Sequence, residues 1–205
     1  MLGILTFPSG VQHMRFVKLS FLLAAFVSLS LAGCGGSDSS PPPADSFLDV
    51  GPFGTDFQST SLTRGYWFTA PVAFTITGLR VPTDVGTEVQ NIEIVRLSAA
   101  PPAYSTVTNS FTSLGRFVNV AGTAFIAVNI PVAAGDVIGI LGARGTTTMH
   151  NSYGATTANT YSSAIKGSAV TLKRLGMQYN LNTTVAKDLW TEDANPMSRV
   201  EMSYH

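Results

Sequence analysis

The residues able to do chemistry in this chain are few. Three histidines are present, and only His150 lies away from the two ends, where His13 and His205 sit. With Ser152 two positions on, His150 is the one seed for nucleophilic catalysis, in which an imidazole takes a serine proton and an acid orients the imidazole. No Gly-x-Ser-x-Gly turn presents a serine, and a loop histidine in a threonine-rich stretch accounts for the same residues. A zinc site needs three or four converging His, Cys or acidic ligands; one internal histidine and the single cysteine, Cys34, are too few. Glycoside hydrolysis needs two carboxylates across a cleft. The candidates are Asp84, Glu88, Glu93, Asp136, Asp188, Glu192, Asp193 and Glu201. Most fall in turns or at outward strand positions, where solvated charge is the ordinary state. Glu192 and Asp193 with Asn195, or Asp84 with Glu88, offer loop oxygens to calcium, but no EF-hand or Gly-Asp repeat accompanies them. Gly139, Gly142 and Gly145 follow a strand pattern without phosphate-loop spacing or a following helix. The reading is of a non-enzymatic chain, with no metal and no cofactor expected.

Aromatic residues are the remaining handle. Tyr66, Trp67 and Trp190, with Tyr153 and Tyr161, supply the rings for a sugar-stacking platform, and Trp67, Tyr153 and Trp190 are the candidate ligand contacts. Against this, alternate residues of Tyr66-Trp67-Phe68 point to opposite faces of a strand, so at least one belongs to the core, and core packing for Trp67 is the ordinary alternative.

The elements that must position these side chains are strands. Charged residues make up only 12% of the chain, while Thr, Val, Ile, Phe and Tyr are plentiful, a composition that favours strands. Tyr66–Thr69 stops at Pro71. Phe74–Val81 begins with Phe74 and Ile76 on one face; beyond Gly78 the apolar parity shifts, which predicts a bulge. Ile92–Leu97 follows the loop Thr83–Thr87. Phe125–Ile130 alternates cleanly and is ended by Pro131. Ala134-Gly135-Asp136 makes a turn, and Val137–Leu141 returns as a continuous apolar run, the pattern of a strand covered on both faces; the two segments are expected to form a hairpin. Val170–Leu172 and Met177–Leu181 are weaker strand candidates. In the last strand Val200, Met202 and Tyr204 face one way and Arg199, Glu201 and Ser203 the other. Thr184–Trp190 is a short helical turn or an irregular loop. The polar stretch 142–167 is a large loop or a pair of exposed strands. No fixed-period repeat is present. Short strands at this spacing predict an all-β fold, a two-sheet antiparallel sandwich, jelly-roll-like, over residues 47–205.

The first 46 residues have a different character. Arg15 and Lys18 precede an apolar run from Leu19 to Leu31, the tripartite secretory pattern; the run is short against the roughly 20 residues of a spanning helix. Met14 is a better natural start than Met1. Leu31-Ala32-Gly33-Cys34 resembles the lipobox of bacterial lipoprotein signal peptides. That resemblance implies removal of residues 1–33, lipidation of Cys34 with diacylglycerol and acyl (palmitate-type) chains, and, with Gly35 next and no Asp there, sorting to the outer membrane of a Gram-negative bacterium. Two or more acyl chains anchor a protein stably where one does not. Residues 34–46 then form a flexible Gly/Ser/Pro tether with no large apolar side chain.

Beyond Cys34 stand ten basic against twelve acidic residues, so no basic stripe remains for nucleic acid. Gly65–Pro71 leading into Phe74–Leu79, and Ala133–Ile140, resemble exported bacterial β-sandwich domains; no catalytic residue carries over. The expected function is a membrane-anchored lipoprotein with a non-catalytic β-sandwich that binds an envelope protein or packs in the cell envelope. The alternative is a carbohydrate-binding module on a lipid tether, and behind it a glycan-active enzyme. An exposed aromatic row would favour the second reading; two facing acids in a cleft would favour the third.

Overall fold

Alternating apolar residues build two antiparallel sheets. In the computed structural model, residues 44–205 are described; the signal segment 1–33, Cys34 and the tether up to residue 43 lie outside the described residues. The strands are β1 (Ser46–Phe47), β2 (Phe53–Ser59), β3 (Thr63–Thr69), β4 (Phe74–Arg80), β5 (Gln90–Leu97), β6 (Phe111–Val120), β7 (Ile126–Val132), β8 (Val137–Arg144), β9 (Met149–Gly154), β10 (Thr160–Ile165), β11 (Ser168–Met177), β12 (Trp190–Thr191) and β13 (Glu201–Tyr204). The small sheet runs β1-β13-β4-β7, and the large one β10-β11-β3-β8-β5-β6, with β12 on β11 and β2 joined through β9 to β8. The fold is an all-β sandwich, and the chain crosses between the sheets repeatedly.

The core between the sheets takes Phe74, Ile76, Leu79 and Met202 from the small sheet and Tyr66, Phe68, Ile92, Ile94, Ile138 and Ile140 from the large one. Each such side chain contributes about 1.5–3 kcal/mol by leaving water. The parity change in β4 is a bulge: the register shifts between Ile76 and Gly78 against β7, and Thr77 is the extra residue against β13. The bulge is what lets Phe74, Ile76 and Leu79 all face the core.

β8 is central, paired with β3 and β5, and both its faces are covered. Ile138 and Ile140 face the inter-sheet core. Leu141 faces a second apolar cluster with Trp67, Val95, Leu175 and Leu189, on the outer face of the large sheet. A strap, residues 178–189, lies over that face. Its anchor is Glu93, a buried carboxylate whose Oε2 accepts from the Ala186 N–H at 2.8 Å and whose Oε1 accepts from Ser113 Oγ at 2.9 Å. Arg116 donates to the carbonyls of Leu181 and Thr184 beside it.

Several expectations are corrected. Ile126–Val132 and Val137–Arg144 are not a hairpin: β7 pairs with β4 and β8 with β3 and β5. The Ala133–Asp136 turn is a corner between sheets, held by Asp136 Oδ2 accepting from the Ala133 N–H at 2.9 Å. Pro131 does not end its strand, because among the described residues β7 is an edge strand with β4 as its one partner, and a proline there costs no ladder bond. Met177–Leu181 is the end of β11 and the start of the strap. Thr184–Trp190 is irregular up to the two-residue β12. Within 142–167 lie β9 and β10, and β9, paired along its length with β2, is largely buried rather than exposed.

Candidate functional site

The three aromatic candidates do not form a platform. Trp190 is fully buried, Trp67 and Tyr153 are each 6% exposed. Trp67 lies in the outer cluster, its indole N–H donating to Thr191 Oγ1 at 3.1 Å and Lys173 Nζ resting 4.9 Å over its ring. Alternation in β3 explains this: Tyr66 and Phe68 take the inner face, and Trp67 the outer face that the strap covers. Tyr153 stacks on Phe57 at 4.9 Å, and its hydroxyl accepts from Arg174 Nη2 at 2.6 Å. Burial pushes the Tyr153 phenol up, against the pull of the Arg174 cation. Arg174 and Arg64 share the Glu192 carboxylate, and Arg64 stacks on Trp190 at 5.2 Å. This cluster is an internal brace.

The His150–Ser152 pair is separated in function by its neighbours. His150 Nδ1 lies 2.7 Å from Asp56 Oδ2 and Nε2 lies 4.0 Å from Glu88. Ser152 Oγ is buried, donates to Asp84 Oδ1 at 2.8 Å and accepts from Arg199 Nη1 at 2.9 Å. The serine hydroxyl is therefore committed to a carboxylate and a guanidinium, not to the imidazole. Six of the eight acidic candidates, all but Glu88 and Asp193, are likewise committed. Asp84 pairs with Arg199, Glu201 with Arg80, Glu192 with Arg174, Asp136 with Arg96 and Glu93 with Arg116. Asp188 accepts from Asn109 Nδ2 at 2.7 Å, which with Tyr179 and Lys187 holds its carboxyl below the ordinary range. Among the described residues, no three His, Cys, Asp or Glu side chains gather as metal ligands.

Exposed aromatics sit elsewhere. Phe47, 65% exposed, packs on Phe125 with ring centroids 5.5 Å apart and planes tilted by 54°. β1 and the residue just before β7 bring the two rings to the outer side of the small sheet. They form one wall of a cleft of about 410 Å³, whose lining also includes Asp49, Arg80, Arg199 and Glu201. Arg80 lies with its guanidinium 4.5 Å over the Phe125 ring and ion-pairs with Glu201 across the β4–β13 register. Arg199 is largely buried; its Nε donates to the Gly51 carbonyl at 2.9 Å and its Nη1 is held by Asp84 and Ser152. Asp49 accepts from the Gly51 N–H at 2.9 Å and from the Tyr161 hydroxyl at 2.8 Å. Gly51 has φ +77°, and a Cβ there would stand 2.8 Å from the Tyr161 ring, so the tight turn that aims Asp49 requires glycine.

The loop carrying Asp84 is itself pinned from within. Arg144, fully buried at the end of β8, donates to the carbonyls of Pro82 at 3.1 Å, Val81 at 2.8 Å, Glu88 at 2.6 Å and Gly122 at 3.3 Å. Its burial lowers its proton affinity. Neither Phe47 nor Arg80 stands out in the sequence as a site residue. The available signal was Phe47 as the first large apolar residue after the Gly/Ser/Pro stretch, at the head of a strand too short to bury it.

A second, smaller depression of about 260 Å³ lies beside Tyr104, with Asp193 and Asn195 at its edge. Tyr104 is 62% exposed and rests on Trp190 at 5.3 Å. No protein-family model matches the chain, and no curated protein sequence matches it.

Proposed function

We propose that this chain is an exported lipoprotein, anchored through Cys34 and tethered by residues 34–46, whose β-sandwich is a non-catalytic binding domain in the cell envelope. The observation that carries the binding role is the Phe47–Phe125 cleft. It combines an exposed apolar wall with converging polar groups, the general character of ligand sites, and its acids are held by partners rather than poised opposite one another. The anchor reading rests on Leu31-Ala32-Gly33-Cys34 after a charged start and an apolar run. The described chain enters the sandwich at β1, whose Phe47 lines the cleft.

The test is membrane fractionation of the native chain beside a Cys34→Ala variant, in the bacterium that makes it. The native protein is expected in the membrane fraction, extracted by detergent but not by high salt, and the variant in the soluble fraction. Equal partition of the two into the soluble fraction would overturn the anchor.

A further inference from the structure

We propose that the Phe47–Phe125 cleft takes a neutral saccharide, with the two phenyl rings as its stacking wall and Arg80, Arg199, Asp49 and Glu201 as its hydroxyl partners. This deepens the binding role given above and rests on it. The residues differ from the tryptophans and tyrosine that the sequence offers for the same ligand.

Three observations carry the assignment. First, an aromatic wall is present. Phe47 is 65% exposed and forms its open face, while half-buried Phe125, with the Arg80 guanidinium over its ring, backs it; phenyl carries no polar atom, so the wall is suited to an apolar C–H face. Second, the cleft's formal charges cancel. Arg80 and Arg199 are matched by Asp49 and Glu201 in the same lining, which favours neither a cation nor an anion. A hydroxyl both donates to a carboxylate and accepts from a guanidinium, so a ring of hydroxyls uses both signs at once. Third, donors are left over. Arg80 spends Nε on Glu201, and Arg199 spends Nε and Nη1 on Gly51, Asp84 and Ser152. Among the described residues, neither terminal nitrogen of Arg80 nor Nη2 of Arg199 has a hydrogen-bond partner. The arginines are thus oriented by the protein and still have N–H groups to offer. A volume of about 410 Å³ lies in the usual range for small-ligand sites. The Tyr104 depression has a ring and acceptors but no guanidinium in its lining, and it serves as the internal control.

The experiment is a glycan array carrying neutral gluco-, manno-, galacto- and N-acetylglucosamine oligosaccharides together with uronate chains, probed with the purified full chain. The strongest neutral hit is then titrated by calorimetry against Phe47→Ala, Arg80→Gln and Tyr104→Ala. Phe47 is exposed, so Phe47→Ala should leave the thermal midpoint in place while weakening binding about tenfold. Arg80→Gln should weaken it to a similar degree, and Tyr104→Ala should not change it. No neutral hit, hits confined to uronates, or loss of binding in Tyr104→Ala but not in Phe47→Ala would each overturn the saccharide assignment. A parallel arm sediments phosphatidylethanolamine/phosphatidylglycerol vesicles with the full chain carrying Cys34→Ala. Vesicle binding that Phe47→Ala abolishes, without a glycan hit, would overturn the saccharide while leaving the cleft as a binding site. Indifference of every ligand to both cleft variants would overturn the cleft itself.

Discussion

Replacing Arg144 with methionine keeps much of the side-chain length and removes the guanidinium. Four carbonyls lose a donor: those of Val81, Pro82, Glu88 and Gly122. Glu88 and Gly122 are exposed residues whose carbonyls water can reach, whereas Val81 and Pro82 are buried. Two orphaned buried acceptors cost about 1–3 kcal/mol each, and sparing a buried cation its desolvation offsets part of that. The expected net loss is about 3 kcal/mol, a large share of the roughly 5–15 kcal/mol that holds a domain together. Both tryptophans are buried, so urea unfolding followed by indole fluorescence reads it directly. With a urea slope of about 2 kcal/mol per molar, the midpoint should fall by roughly 1.5 M. Hydrogen exchange should rise first in residues 81–88, the loop that places Asp84 on Arg199. A loss below about 0.5 kcal/mol, with exchange in that loop unchanged, would refute the claim that the guanidinium pins it.

Other outcomes follow from the same contacts. Tyr66 is buried and donates its hydroxyl to the Val200 carbonyl at 2.9 Å, and burial raises its phenol well above the ordinary value. A raised phenol favours the folded state below the unfolded value near pH 10, and that contribution is lost as pH climbs past it. Urea midpoints measured from pH 7 to 11 should therefore fall above about pH 10, and less steeply in Tyr66→Phe. Gly65→Ala would place a Cβ 1.8 Å from the Ile140 carbonyl oxygen. The β3–β8 ladder cannot yield that much, and the variant should fail to give a cooperative unfolding transition by circular dichroism. Glu93→Leu strips the strap of its anchor and orphans the Ala186 N–H, at a cost of about 2–4 kcal/mol by urea unfolding; protection of the Ala186 amide against exchange should fall with it.

Much of the fold is written locally. Phe74, Ile76, Leu79 and Val81 announce both a strand and its bulge, and the unbroken run Val137–Leu141 announces a strand with two covered faces. What is absent locally is the identity of a strand's partner. Ala134-Gly135-Asp136 turns the chain equally well in a hairpin or in a corner between sheets, and only the packing of Ile130 and Val132 against the opposite sheet selects the corner. β6 hides its pattern behind Gly115, Arg116 and two register shifts against β5. Met149–Gly154 reads as polar because Asn151 and Ser152 are buried by hydrogen bonding rather than by apolarity: Asn151 accepts from the Arg64 N–H at 2.8 Å. The aromatic candidates form no platform for a related reason. Large rings in strands are drawn to the core, as Trp67, Tyr153 and Trp190 were. The cleft pair, exposed Phe47 and half-buried Phe125, is distant in sequence and belongs to opposite edges of the β1-β13-β4-β7 sheet; the rings meet across its outer face, where Gly78 has no side chain to stand in the way of Phe125.

The anchored binding domain stands or falls most directly on the intact mass of the native protein purified from its membrane fraction. The account predicts a chain beginning at Cys34 and heavier than residues 34–205 by a diacylglyceryl group and an acyl chain. A mass matching an unmodified polypeptide with a free Cys34 thiol would contradict it.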